Sequence, residues 1–62
     1  MTADEIKSLR LTAKMSQEEF ARELGISFAT VNRWENKRTT PSRLAKRLLE
    51  QFRKRSARVR AS

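Results

Sequence analysis

Only Gly25 and Ile26 separate the end of one helical segment at Leu24 from the capped start of the next at Ser27, and no other feature limits the fold as tightly. So short a link does not suit antiparallel packing, but it suits two helices that cross steeply. The residues around it have the sizes such a crossing needs. Ala21 is small where the second helix passes over the first, Gly25 can take the left-handed turn, and Val31 and Trp34 are spaced to fill the angle between the helices.

The flanking segments carry their own start signals. Thr2 with Glu5 and Ser16 with Glu19 form the hydroxyl-to-carboxylate spacing of a capping box, and Met1 and Met15 precede them five residues before Ile6 and Phe20. Ser27 caps a third helix, with Ile26 poised over Val31. Thr40 and Pro41 announce a fourth, with proline at the first helical position, where a missing N–H costs nothing. The expected helices are Thr2–Ala13, Ser16–Leu24, Ser27–Lys37 and one opening at Pro41, whose Leu44, Leu48, Leu49 and Phe52 make a core-facing stripe. There is no β-type alternation, repeat or low-complexity tract.

Composition narrows the class further. A chain of 62 residues makes one domain with one small core, here an all-α compact bundle of four or five short helices. The domain is expected over residues 1–55, with 56–62 a basic, disordered tail. The absence of Cys and His excludes disulfide scaffolds, thiolate or histidine catalysis and Cys/His metal sites, so neither cofactor nor metal is expected and the chain does not read as an enzyme. No apolar run reaches the roughly 18 residues of a membrane span, and Asp4 and Glu5 stand where a secretory leader would be basic, so the expected location is the cytoplasm.

Fifteen Lys and Arg against seven Asp and Glu give a net charge of +8, which points to a polyanionic partner. The charge is unevenly spread. Residues 1–31 carry four bases and five acids, net −1, whereas 32–62 carry eleven bases and two acids, net +9. Function is therefore sought in the second half.

The stretch from Ile6 to Ser42 resembles the lambda-repressor-like (XRE-type) helix-turn-helix family. The resemblance rests on Arg10, the SQEEFA opening of the second helix, LGIS at the turn and the WEN run that closes the third. It departs at Lys37, where the family often has glycine. The resemblance implies a structural ion pair between Arg10 and Glu35, and base-reading positions at Phe28, Ala29, Asn32 and Arg33. It also implies a backbone-contacting loop formed by Asn36, Lys37, Arg38, Thr39, Thr40 and Arg43.

The residues themselves suit those roles. With Val31 and Trp34 turned inward, the outward set of the third helix is Phe28, Ala29, Asn32, Arg33 and Asn36. Arg33 could pair with guanine or rest on a phosphate, and Asn32 could pair with adenine or be a plain surface amide. Phe28 either meets a thymine methyl or folds back onto the core, and Ala29 allows close approach of the backbone. Gln17 and Ser27 open their helices where free N–H groups favour phosphate. Trp34 reads as core rather than stacking platform, and Glu35 as an ion-pair partner rather than a catalytic acid.

Three functions compete. The first is a sequence-specific transcriptional regulator on double-stranded DNA. One copy would bury only about 600–1,000 Å², so tight binding calls for a homodimer or a tethered second domain. Its dimer surface is sought on the outer edge of the fourth helix, at Leu48, Phe52 and Val59. The second is an antitoxin-type module that binds a toxin partner as well as operator DNA. The third is a basic amphipathic binder of membranes or RNA built on residues 43–60, which leaves the helix-turn-helix unexplained.

Overall fold

A computed structural model describes the backbone of residues 1–61 and the side chains of residues 1–56. Four helices follow one another: α1 (Ala3–Thr12), α2 (Gln17–Leu24), α3 (Phe28–Glu35) and α4 (Arg43–Ala61), with no strand among the described residues. The first three starts are set locally. Thr2 Oγ1 accepts from the Glu5 N–H at 3.1 Å while Glu5 Oε1 accepts from the Thr2 N–H at 2.7 Å, and Ser16 and Glu19 repeat the box at 3.1 and 2.8 Å. Ser27 Oγ accepts from the Thr30 N–H at 3.2 Å. Met1, Met15 and Ile26, the apolar residues ahead of these caps, all pack against the core.

The first turns of α1 and α2 carry acids (Asp4 and Glu5, Glu18 and Glu19), whereas those of α3 and α4 carry none.

The first three helices end alike. Gly25 is left-handed (φ 75°), its N–H donates to Arg22 O and that of Ile26 to Ala21 O, the paired bonds of a Schellman motif. Lys14 (φ 58°) and Lys37 (φ 62°) occupy the same place after α1 and α3, with the equivalent bonds to Leu11 and Arg10 and to Trp34 and Arg33. The third helix therefore ends two residues earlier than expected, because Lys37 leaves helical geometry instead of closing it. A left-handed non-glycine residue costs about 1–2 kcal/mol. Lys37→Gly is expected to stabilise the fold by about 1 kcal/mol in urea denaturation, and Gly25→Ala to destabilise it by about the same amount. Since a Cβ on Gly25 would meet nothing within 4 Å, the Gly25→Ala loss is purely one of backbone conformation.

The start of α4 corrects the expectation at Thr40 and Pro41. Ser42 is the cap: its Oγ accepts from the Ala45 N–H at 3.2 Å and its carbonyl from the Lys46 N–H at 2.8 Å. Pro41 precedes the helix and is buried, which spends its ring on packing rather than on the first turn.

Among the described residues, nine form the hydrophobic core: Ile6, Phe20, Ala21, Leu24, Val31, Trp34, Ala45, Leu49 and Phe52. Phe20 from α2 meets Phe52 from α4 edge to face, with ring centroids 5.1 Å apart and planes at 88°. Two expectations for α4 change here. Leu44 is 67% exposed and Ala45 takes its place in the stripe. Phe52 is buried, so it cannot form an outer edge for a dimer; Leu48 is partly buried against the same core, and the side chain of Val59 lies outside the described residues. The backbone of α4 runs past residue 55, the expected end of the domain, and the side chains from 57 on, which belong to the expected tail, lie outside the described residues.

Candidate nucleic-acid interface

Helix α3 is held by one face and offers the other. At about 100° per residue, Val31 and Trp34 fall on one side, and Phe28, Ala29, Asn32 and Arg33 lie within an arc of about 140° on the opposite side. The burial follows that geometry: Val31 and Trp34 are buried, Phe28, Ala29 and Arg33 are exposed, and Asn32 is half-buried. Among the described residues, no hydrogen bond engages the Arg33 guanidinium.

Behind this face lies a continuous run of polar contacts from α1. Arg10 Nε donates to Glu35 Oε2 at 2.8 Å and Arg10 Nη2 to Glu35 Oε1 at 2.9 Å, a fork-shaped pair whose third arm, Nη1, reaches Met15 O at 3.0 Å. The two side chains are only 11% and 5% exposed. Gln17, the first residue of α2, donates from Nε2 to Glu35 Oε1 at 3.1 Å. Its Oε1 accepts from Asn32 Nδ2 at 3.2 Å, and Asn32 Oδ1 accepts from Asn36 Nδ2 at 3.0 Å. The direction of this run has one source. An ionised carboxylate only accepts, so Glu35 requires the amide nitrogen of Gln17, which turns the Gln17 oxygen towards Asn32 and orders Asn32 and Asn36 in turn. Asn32 keeps one N–H and one lone pair free, the pair of groups an adenine edge asks for.

Glu35 remains charged within this site. Burial pushes its pKa up, but hydrogen bonds from Arg10 and Gln17, with the positive charges of Arg10 and Lys7, outweigh that and hold the carboxyl below the usual carboxylate range. The hydrogen bond to Glu35 also raises the Arg10 pKa, against the effect of its own partial burial.

Around α3 the surface is basic. Lys37, Arg38, Thr39 and Thr40 form an exposed loop that leads to exposed Arg43. Glu35 is the one acid between residues 28 and 43, and it is spent on Arg10. Arg33, Lys37, Arg38 and Arg43 therefore stand without an acidic partner among the described residues.

Ser27 is exposed, and its hydroxyl both caps α3 and lies 2.8 Å from Thr30 Oγ1. Sequence reasoning missed the Ser27–Thr30 contact and the Gln17–Asn32–Asn36 run. The hydroxyl spacing at 27 and 30 was a readable signal for the first, whereas the second joins two helices and leaves no local trace.

Taken together, a helix pair joined through the left-handed turn at Gly25, an exposed second helix and a basic loop beyond it define a helix-turn-helix DNA-binding head. The family model described as Helix-turn-helix, of the XRE type, matches residues 6–56, and the chain belongs to this family of DNA-binding regulators. No curated protein and no solved structure shows a significant match. Among the described residues there is no cluster of acidic side chains suited to a metal ion, and no helix is long and apolar enough to cross a membrane.

Proposed function

We propose that the protein is a sequence-specific transcriptional regulator that lays α3 in the major groove of double-stranded DNA, acting in the cytoplasm on the nucleoid. The observation that carries this reading is the division of α3 into a clamped face at Val31 and Trp34 and an exposed face at Phe28, Ala29 and Arg33, bordered by cations without acidic partners. Arg33 is the reader of guanine, since its guanidinium is free and a fork of donors matches the O6 and N7 pair. Asn32, oriented by Gln17 and Asn36, is the reader of adenine, and Phe28 and Ala29 complete the base-facing set. Gln17, Ser27, Asn36, Lys37, Arg38, Thr39, Thr40 and Arg43 hold the phosphates. Two copies on a palindrome, or one copy tethered to a second domain, supply the area that a single head lacks; in a dimer the two reading helices sit about 34 Å apart.

Selection of binding sites from random duplexes tests the reading directly, with enrichment of a defined motif expected. Enrichment of no motif at any salt concentration would sink it. On the selected site, Arg33→Ala is expected to lose about 1–3 kcal/mol of discrimination at one base pair while weak general affinity survives. Arg38→Ala is expected to weaken binding to all sequences and to reduce the salt slope by about one ion. Titrations at several salt concentrations separate the two.

A further inference from the structure

A single exposed aromatic on a small domain is ordinary, so the exposure of Phe28 carries no argument by itself. Its surroundings do. Phe28 is the first residue of α3, 47% exposed, and Ala29 beside it is exposed as well. The two hydroxyls of the same turn, on Ser27 and Thr30, lie 2.8 Å apart and Ser27 also caps the Thr30 N–H, so the two are already engaged with one another within the turn. What Phe28 and Ala29 offer outward is hydrocarbon, a phenyl ring and a methyl group. The major groove has one hydrocarbon feature that varies with sequence, the C5-methyl of a pyrimidine, carried by thymine or by 5-methylcytosine.

We propose that the first turn of α3 reads pyrimidine C5-methyl groups through Phe28 and Ala29, so that part of the sequence preference comes from methyl burial rather than hydrogen bonding. This deepens the major-groove reading above and rests on it.

The test uses the whole chain and the site obtained by selection, from one duplex pool made with cytosine and a second made with 5-methylcytosine. Each thymine of the site is then replaced singly by deoxyuridine, which removes the methyl and leaves base pairing and every hydrogen-bonding group in place. One or two positions are expected to lose affinity about fourfold each, the worth of one buried methyl. Thymine is the source if those positions carry it in the first pool, and 5-methylcytosine is the source if the second pool places it there with a similar gain over cytosine. Phe28→Ala is expected to abolish the dependence and Phe28→Leu to keep most of it. The side chain lies outside the core, so both variants should retain the wild-type melting transition. A defined motif whose affinity is unchanged by every deoxyuridine and every cytosine methylation overturns this proposal and leaves the regulator reading standing. A methyl dependence undiminished in Phe28→Ala overturns the assignment to this turn. Failure to select any motif removes both readings together.

Discussion

Glu35→Ala is expected to cost at least about 3 kcal/mol of folding stability, because it leaves the Arg10 guanidinium buried without its counter-ion. A domain of this length has a total of only about 3–9 kcal/mol to lose. The thermal midpoint should fall by on the order of 15 °C, as followed by circular dichroism. The cost lies in the uncompensated charge more than in the pair, so the double variant Arg10→Met with Glu35→Leu should recover most of the stability. It should not recover full discrimination on DNA, since Gln17 would lose the carboxylate that sets its orientation and Asn32 would lose its guide. A double variant as unstable as Glu35→Ala would count against this account. The same group gives a pH dependence. Its folded pKa lies below the unfolded value near 4.5, so its contribution is fully present above that pH and is lost as pH falls through the folded value. Glu5 and Glu19 are also held low, by hydrogen bonds from Thr2 and Ser16, and act in the same direction. The midpoint should stay nearly level from pH 8 to 5 and drop below about 4.5, less steeply in Glu35→Gln.

Phe20→Ala is expected to abolish cooperative unfolding near room temperature. The side chain is fully buried and joins α2 to α4 through the ring of Phe52. Phenylalanine to alanine in a core costs about 3–5 kcal/mol, against a total of about 3–9 kcal/mol for a domain this small. Phe20→Leu keeps most of the volume and should cost about 1–1.5 kcal/mol with a sharp transition intact. A Phe20→Ala variant that melts cooperatively within a few degrees of the wild type would show that the α2–α4 contact contributes little.

These two residues differ in how far they could be read in advance. Phe20 was marked by its place five residues after Met15, within a capped helix, and such signals act over a single turn. The starts of α1, α2 and α3 were legible for the same reason. Lys14 and Lys37 were not, since nothing in a lysine favours a left-handed backbone; the bonds that the following residues make back into each helix hold them there. At the start of α4, two hydroxyls flank Pro41, and local rules serve Thr40 as well as Ser42. The burial of Pro41, a tertiary fact, goes with Ser42 as the cap. Leu44 looked like core because spacing alone cannot tell a large exposed side chain from a small buried one, and Ala45 was the buried one. On the candidate interface, the outward positions of α3 followed from the inward pair at Val31 and Trp34. The ordering of Asn32 by Gln17 did not, because it depends on two helices meeting.

The uneven placement of acids at helix starts has a thermodynamic consequence. A carboxylate in the first turn offsets the partial positive charge of the exposed N–H groups and is worth about 0.3–1 kcal/mol. Helices α1 and α2 have that benefit, and α3 and α4 go without it. On the reading proposed above, the phosphates of the operator supply the missing negative charge. DNA then completes two helices that the free chain leaves electrostatically unfinished, and the bound protein should resist unfolding by more than contact area alone would give.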